Sequence, residues 1–187
     1  MSATLVIIDM QIAIDDPKYG KQGQPEAEAN MVKLLNHWRQ MGNGVVHIQD
    51  NSLDPESPYY PGKPSHAFKP EFAPLDHETV VEKQTNNAFI GTDLMAVLEE
   101  IGSHELVICG GHLEHCVEST VRMAGNLGFM VFLPKDCVIS VEAKDINGKN
   151  WGADEVQALT LGIIDGSYAK VLQSTDLMMD TANSTIQ

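Results

Sequence analysis

The chain has 187 residues, 43% of them hydrophobic, which is the size and apolar content of one ordinary globular domain, and a single domain over 1–187 is expected. Twelve Lys and Arg against 26 Asp and Glu give a formal charge of −14; such a surface repels phosphate backbones and anionic lipids, so neither nucleic acid nor a membrane is expected as a partner, and no cationic substrate is required. The opening MSATLVIIDMQ has no basic leader, no apolar run approaches the roughly 20 residues of a membrane span, and the three cysteines fit neither a disulfide nor a zinc spacing, so a reducing, cytoplasmic setting is expected.

Thr4-Leu5-Val6-Ile7-Ile8 is a β-branched apolar run of the kind buried on both faces in a parallel sheet, and it ends at Asp9. Spacing through Met31, Leu34, Leu35 and Trp38 predicts a helix from about Glu26 to Met41, stopped by Gly42-Asn43-Gly44, and Val45 to Gln49 is the second strand. Asp50 to Pro74 is proline-rich and aperiodic, a long surface loop of the length that is usually functional or mobile. Thr79 to Glu82 is the third strand, ending at Lys83. A loop over Gln84 to Gly91 leads to a helix from Asp93 to Ile101. Glu105 to Cys109 is the fourth strand, with Gly110-Gly111 as its breaker. A helix from Cys116 to Leu127 follows, then a strand from Phe129 to Leu133. A helix from Asp154 to Ile164 and a strand from Ala169 to Leu172 complete the pattern, and the polar tail after Leu177 is expected to fray. This alternation is that of a three-layer α/β/α fold with a six-stranded, mostly parallel sheet.

In open α/β sheets the ligand binds beyond the carboxyl ends of the strands. That rule selects Asp9, Lys83 and Cys116, an acid, a cation and a thiol delivered to one edge by three strands. A helix N-terminus and a nearby ammonium lower a thiol pKa, so Cys116 is expected to be an activated nucleophile that alkylates faster than free cysteine. Asp9 can take its proton and pass it to a leaving amine, and Lys83 can hold Asp9 ionised. Alone, each residue has a plainer reading: a strand-end cap, a solvated lysine, a buried small hydrophobe. Their joint placement favours catalysis. Cys109 and Cys137 read as core thiols.

Three stretches resemble the isochorismatase-like cysteine hydrolases: Val6-Ile7-Ile8-Asp9-Met10-Gln11; Glu82 through Phe89 with Gly91-Thr92-Asp93-Leu94; and Gly110 through Cys116-Val117-Glu118-Ser119-Thr120. The resemblance runs from about Thr4 to Leu177. It implies an Asp–Lys–Cys triad at Asp9, Lys83 and Cys116, and a sheet of order 3-2-1-4-5-6. It also implies a cis peptide joining Gly111 to His112, with the amides of His112 and Cys116 facing a developing oxyanion. By the same resemblance the reaction is cleavage of a C–N bond in a small amide, lactam or carbamoyl compound, without a cofactor, by a homodimer or homotetramer. Two residues depart from the family pattern, Leu113 where Thr is usual and Ile14 where Phe is usual. A third departure concerns metal: family nicotinamidases pair an Asp-x-His after strand two with a further His, whereas here Asp50 is followed by Asn51 and Ser52, so no metal is expected.

Gln11, Asn86, Phe89, Leu113 and His115 are the weaker candidates for substrate contacts, and Trp151 reads as packing. His47, His66 and His77 lack metal-ligand spacing. Two other classes compete with the hydrolase reading, a non-catalytic scaffold and a redox sensor at Cys116, the latter without a placed resolving cysteine.

Overall fold

The computed structural model describes residues 3–184, with side-chain surroundings through Met179. Among the described residues nine strands form: β1 (Thr4–Ile8), β2 (Val45–Asp50), β3 (Thr79–Lys83), β4 (Glu105–Gly111), β5 (Met130–Pro134), β6 (Val138–Ile139), β7 (Ala143–Lys144), β8 (Asn150–Trp151) and β9 (Lys170–Leu172). The helices are α1 (Ala27–Met41), α2 (Leu94–Ile101), α3 (Glu118–Asn126), α4 (Ala153–Ile164) and α5 (Ser174–Ser184). The main sheet is parallel in the order β3-β2-β1-β4-β5-β9, with β6 paired to the end of β4, while β7 and β8 form a separate antiparallel hairpin. Because β9 is the sixth of the longer strands, this is the expected order.

All five residues of β1 are buried, because successive side chains enter opposite layers. Val6 and Ile8 join Leu94, Leu98, Val121, Leu161 and Ile164 from α2, α3 and α4. Leu5 and Ile7 join Met31, Leu34, Leu35 and Trp38 of α1 and Leu177 of α5. Helices therefore cover both faces of the sheet. Among the described residues no helix is long and apolar enough to cross a membrane.

Three expectations change. Gly110-Gly111 does not break β4 but completes it: Gly110 has φ +124°, and a Cβ there would lie 2.2 Å from the Ile8 carbonyl oxygen. The tail beyond Leu177 continues as α5. Asp136 receives both the Ser174 amide (2.8 Å) and its hydroxyl (2.6 Å), and Leu177 is buried, so the helix docks on the α1 side; residues after 184 lie outside the described ones. The loop after β2 is not confined to the surface, since Ser57, Tyr59 and Phe72 are buried. Replacing Gly110 by Ala is expected to cost at least about 3 kcal/mol, because backbone rather than a flexible side chain must yield. Urea denaturation measures it, and a loss under about 0.5 kcal/mol would show that β1 and β4 can separate freely.

Candidate active site

The parallel strands end together at one edge of the sheet, and three charged residues stand there. Asp9 follows β1, while Asp50 and Lys83 are register partners at the ends of β2 and β3. Asp9 adopts φ +55°, a left-handed conformation that Asp tolerates better than most residues, and it is 2% exposed. Lys83 is as deeply buried. Its ammonium lies 2.8 Å from Asp9 Oδ2 and donates to Asp50 Oδ2 at 2.7 Å and to Cys116 Sγ at 3.5 Å. An ammonium has three donors, and here each has an acceptor.

Cys116 is not the first residue of an α-helix. It sits in a single π-helical turn, Leu113–Val117, closed by the Val117 amide donating to the His112 carbonyl at 3.3 Å, and α3 begins only at Glu118. The peptide bond between Gly111 and His112 is cis, as the resemblance implies. Cys116 still lies in the first turn of the helical segment, where amide N–H groups lack intrahelical partners.

Burial dominates the electrostatics. Desolvation raises the Asp9 carboxyl from an ordinary 3.8 to about 6, with the Lys83 charge opposing the rise and Asp50 adding to it. Desolvation, then the charge of Asp9, pushes the Cys116 thiol well above its ordinary value, and Lys83 only partly offsets this. Lys83 is raised in turn: burial alone would lower it, but Asp9, Cys116 and Asp50 together outweigh that. The expectation of a thiol activated in the resting site is therefore overturned, because one ammonium faces two carboxylates. Slow alkylation no longer separates an enzyme from a scaffold.

The cleft above this cluster has a volume of about 420 Å³ and reaches Asp9, Asp50, Gly111, His112 and Cys116. Asn86 and His115 also line it, and Asn86 Oδ1 is 3.8 Å from Sγ. Three weaker candidates lie elsewhere. Gln11 is fully buried and latches the loop, donating to the carbonyls of Asp50 (3.1 Å) and His66 (2.8 Å) and accepting from the Asp50 amide (2.8 Å). Phe89 packs on Phe129 with ring centroids 6.1 Å apart, and Leu113 is wholly within the apolar core. In the π-helical turn Leu113 is on the side that faces the core. Residues not singled out from sequence complete the wall: Asp50 itself, Ser57, and Tyr19, whose ring is tilted against Tyr59 at 5.9 Å and against His112 at 5.2 Å between centroids.

Among the described residues the ligand atoms of Asp9, Asp50 and Cys116 lie within 4.8 Å of one another, close enough in principle to hold a cation. The Lys83 ammonium already bonds all three, so a metal ion would have to displace a buried charge. His66, the nearest imidazole considered for metal, is 2.6 Å from Asn51 Oδ1. The Cys109 and Cys137 thiols are buried in the layer on the opposite face from Cys116.

Comparison with known proteins agrees with this fold. The isochorismatase domain model matches residues 3–157. The uncharacterized isochorismatase family protein YrdC of Bacillus subtilis is 35% identical over 176 residues, 94% of each chain. Streptothricin hydrolase of Streptomyces noursei is 35% identical over 137 residues, 71% of this chain and 48% of that one. The crystal structure of a protein described as a hydrolase of the isochorismatase family, from Chromobacterium violaceum, superposes with a TM-score of 0.94 at 46% identity, covering 97% of this chain and 94% of that one.

Proposed function

Since the chain belongs to the isochorismatase family of hydrolases, we propose that it cleaves a C–N bond in a small amide, lactam or carbamoyl compound through a thioester on Cys116. The observation that carries this reading is the single ammonium shared by Asp9, Asp50 and the Cys116 thiol at the floor of a cleft. It explains how a buried carboxylate can be ionised beside a neutral thiol, the starting state for proton transfer.

Asp9 Oδ1 is buried and makes no ammonium contact, and the carboxylate interacts with the Cys116 thiol as a hydrogen-bond acceptor, which places it to take the thiol proton. As Sγ adds to the substrate carbonyl, the thiol proton passes to Asp9 and the oxygen becomes an oxyanion, met by the amides of His112 and Cys116. Asp9 then returns the proton to the departing nitrogen, the C–N bond breaks and the thioester remains. Water enters, gives a proton to Asp9 and attacks the thioester. The C–S bond breaks, the acid leaves, and Asp9 reprotonates the sulfur. Lys83 keeps its charge throughout, so the sulfur and the carboxylate exchange one proton beside a fixed cation.

Asp9 must be ionised to accept that proton, and its pKa lies at about 6. The ratio kcat/KM reports the free enzyme, so it is expected to fall about tenfold per pH unit below about 6 and to level above it. A profile flat down to pH 4 would remove Asp9 from the proton-accepting role. Ammonia release from a panel of primary amides, with intact-mass detection of the acyl adduct, tests the reading as a whole.

A further inference from the structure

The carboxylates of Asp9 and Asp50 both line the cleft. Asp9 stands at its floor, with Oδ2 on the Lys83 ammonium and the Cys116 thiol as its other neighbour. His112 also lines the cleft, and burial lowers this imidazole to about 4, so the ring brings no positive charge to the cleft at pH 7. Asp50 adds a carboxylate on the cleft wall.

Charge points the same way. The buried cluster sums to −1, from the ammonium of Lys83 and the carboxylates of Asp9 and Asp50. No Lys or Arg is among the residues lining the cleft. The nearby Lys18 stacks over the Tyr19 ring, 5.0 Å from its centroid, and borders a neighbouring depression instead. An anionic substrate would therefore be desolvated against net negative charge with no cation to receive it.

We propose that the non-reacting part of the substrate is a donor-bearing cation of the ammonium or amidinium class, held by Asp50 and by the Tyr59 side of the cleft. This rests on the hydrolase reading given above. Asp50 is then a specificity residue as well as a partner of Lys83, and the tyrosine face supplies a surface on which a cation can stack.

Charged alkylating reagents read this field without a known substrate. Site-resolved mass spectrometry would follow Cys116 reacting with 2-bromoethylamine, iodoacetamide and iodoacetate at low ionic strength, each rate divided by that for mercaptoethanol. The normalised rates are expected to order as cation, neutral, anion, spanning roughly tenfold or more, to converge with added salt, and to converge in Asp50→Asn. Iodoacetate matching or exceeding iodoacetamide on the wild-type protein would overturn the inference, and this arm needs no folded variant. An order unchanged in a folded Asp50→Asn protein would remove Asp50 from it. Matched cationic, neutral and anionic amides separate the two levels. Turnover led by the anionic member sinks the charge preference alone, whereas no turnover of any member, with the alkylation order intact, sinks the hydrolase reading and leaves the charge preference standing.

Discussion

Replacing Cys116 by Ala is expected to lower turnover of any amide that the wild-type protein hydrolyses by roughly 10⁴-fold or more, and to abolish the acyl adduct seen by intact mass. The magnitude follows from what is removed. Without Sγ there is no bond to carry the acyl group, and the remaining oxyanion contacts can act only on direct attack by water. Stability should change little, by about 1 kcal/mol, because one atom is lost from a partly solvent-reached position that is 8% exposed. Cys116→Ser is expected to be nearly as inactive: a hydroxyl at the same place keeps the contact with Lys83 but is a poorer nucleophile at this pH.

The same variant separates the hydrolase from its two rivals. A scaffold would lose nothing on either measurement. A redox sensor would show wild-type oxidation by peroxide at Cys116 and no amide turnover, but peroxide attacks thiolates, and burial with two carboxylates keeps this thiol protonated. The nearest candidates to resolve a sulfenic acid, Cys109 and Cys137, belong to the other face of the sheet. Full activity of Cys116→Ala against a substrate of the wild-type protein would end the covalent reading.

Where the chain announces its fold, it does so through runs with a clear boundary. Val6-Ile7-Ile8 followed by Asp9, and Val80-Val81 followed by Glu82-Lys83, mark both a strand and its carboxyl end, which is why the edge of the sheet could be located from residues alone. Glycine misled at Gly110-Gly111: its usual meaning is a break, but here the missing Cβ admits the Ile8 backbone. The two-residue strands β6, β7 and β8 are too short to show a period, and α5 is tethered by Asp136, a residue 38 positions earlier.

The site was legible to the same depth. Asp9 and Lys83 stand at strand ends and Cys116 in the turn that follows one, where position alone is informative. Asp50 stands at one too, but its significance lies in being the register partner of Lys83, and pairing across strands is not written in either segment. Tyr19, Ser57 and Tyr59 arrive from aperiodic stretches whose placement depends on distant latches, the Gln11 amide holding Asp50 and His66 being one. Gln11 illustrates the difficulty: a polar residue beside Asp9 reads equally as a substrate contact or as a strut, and only the partners decide.

Lys83→Met is the second variant from which a large effect is expected, and it acts on stability and activity together. The substitution leaves the Asp9 and Asp50 carboxylates at the end of the sheet with no cation between them, and uncompensated buried charge costs about 3–5 kcal/mol. The cost should depend on pH. The Asp9 carboxyl in the folded protein already titrates at about 6, above its ordinary 3.8, and Lys83 is what restrains it. Without Lys83 it titrates higher still, so the folded state binds the proton more tightly than the unfolded chain does. Stability linked to that proton is fully present below the ordinary carboxyl range and is lost as pH rises through the folded value. Urea midpoints of Lys83→Met should therefore lie closer to wild type at pH 5 than at pH 8. Turnover should fall by roughly 10²–10⁴-fold, since Asp9 would be protonated in the resting enzyme and unable to receive the thiol proton. Adding Asp9→Asn to Lys83→Met removes one of the stranded charges and should recover part of the stability but none of the activity. A Lys83→Met protein as stable as wild type at pH 8 would mean that the two carboxylates are not held by this ammonium. A stable and fully active one would mean in addition that the sulfur and Asp9 exchange their proton without it.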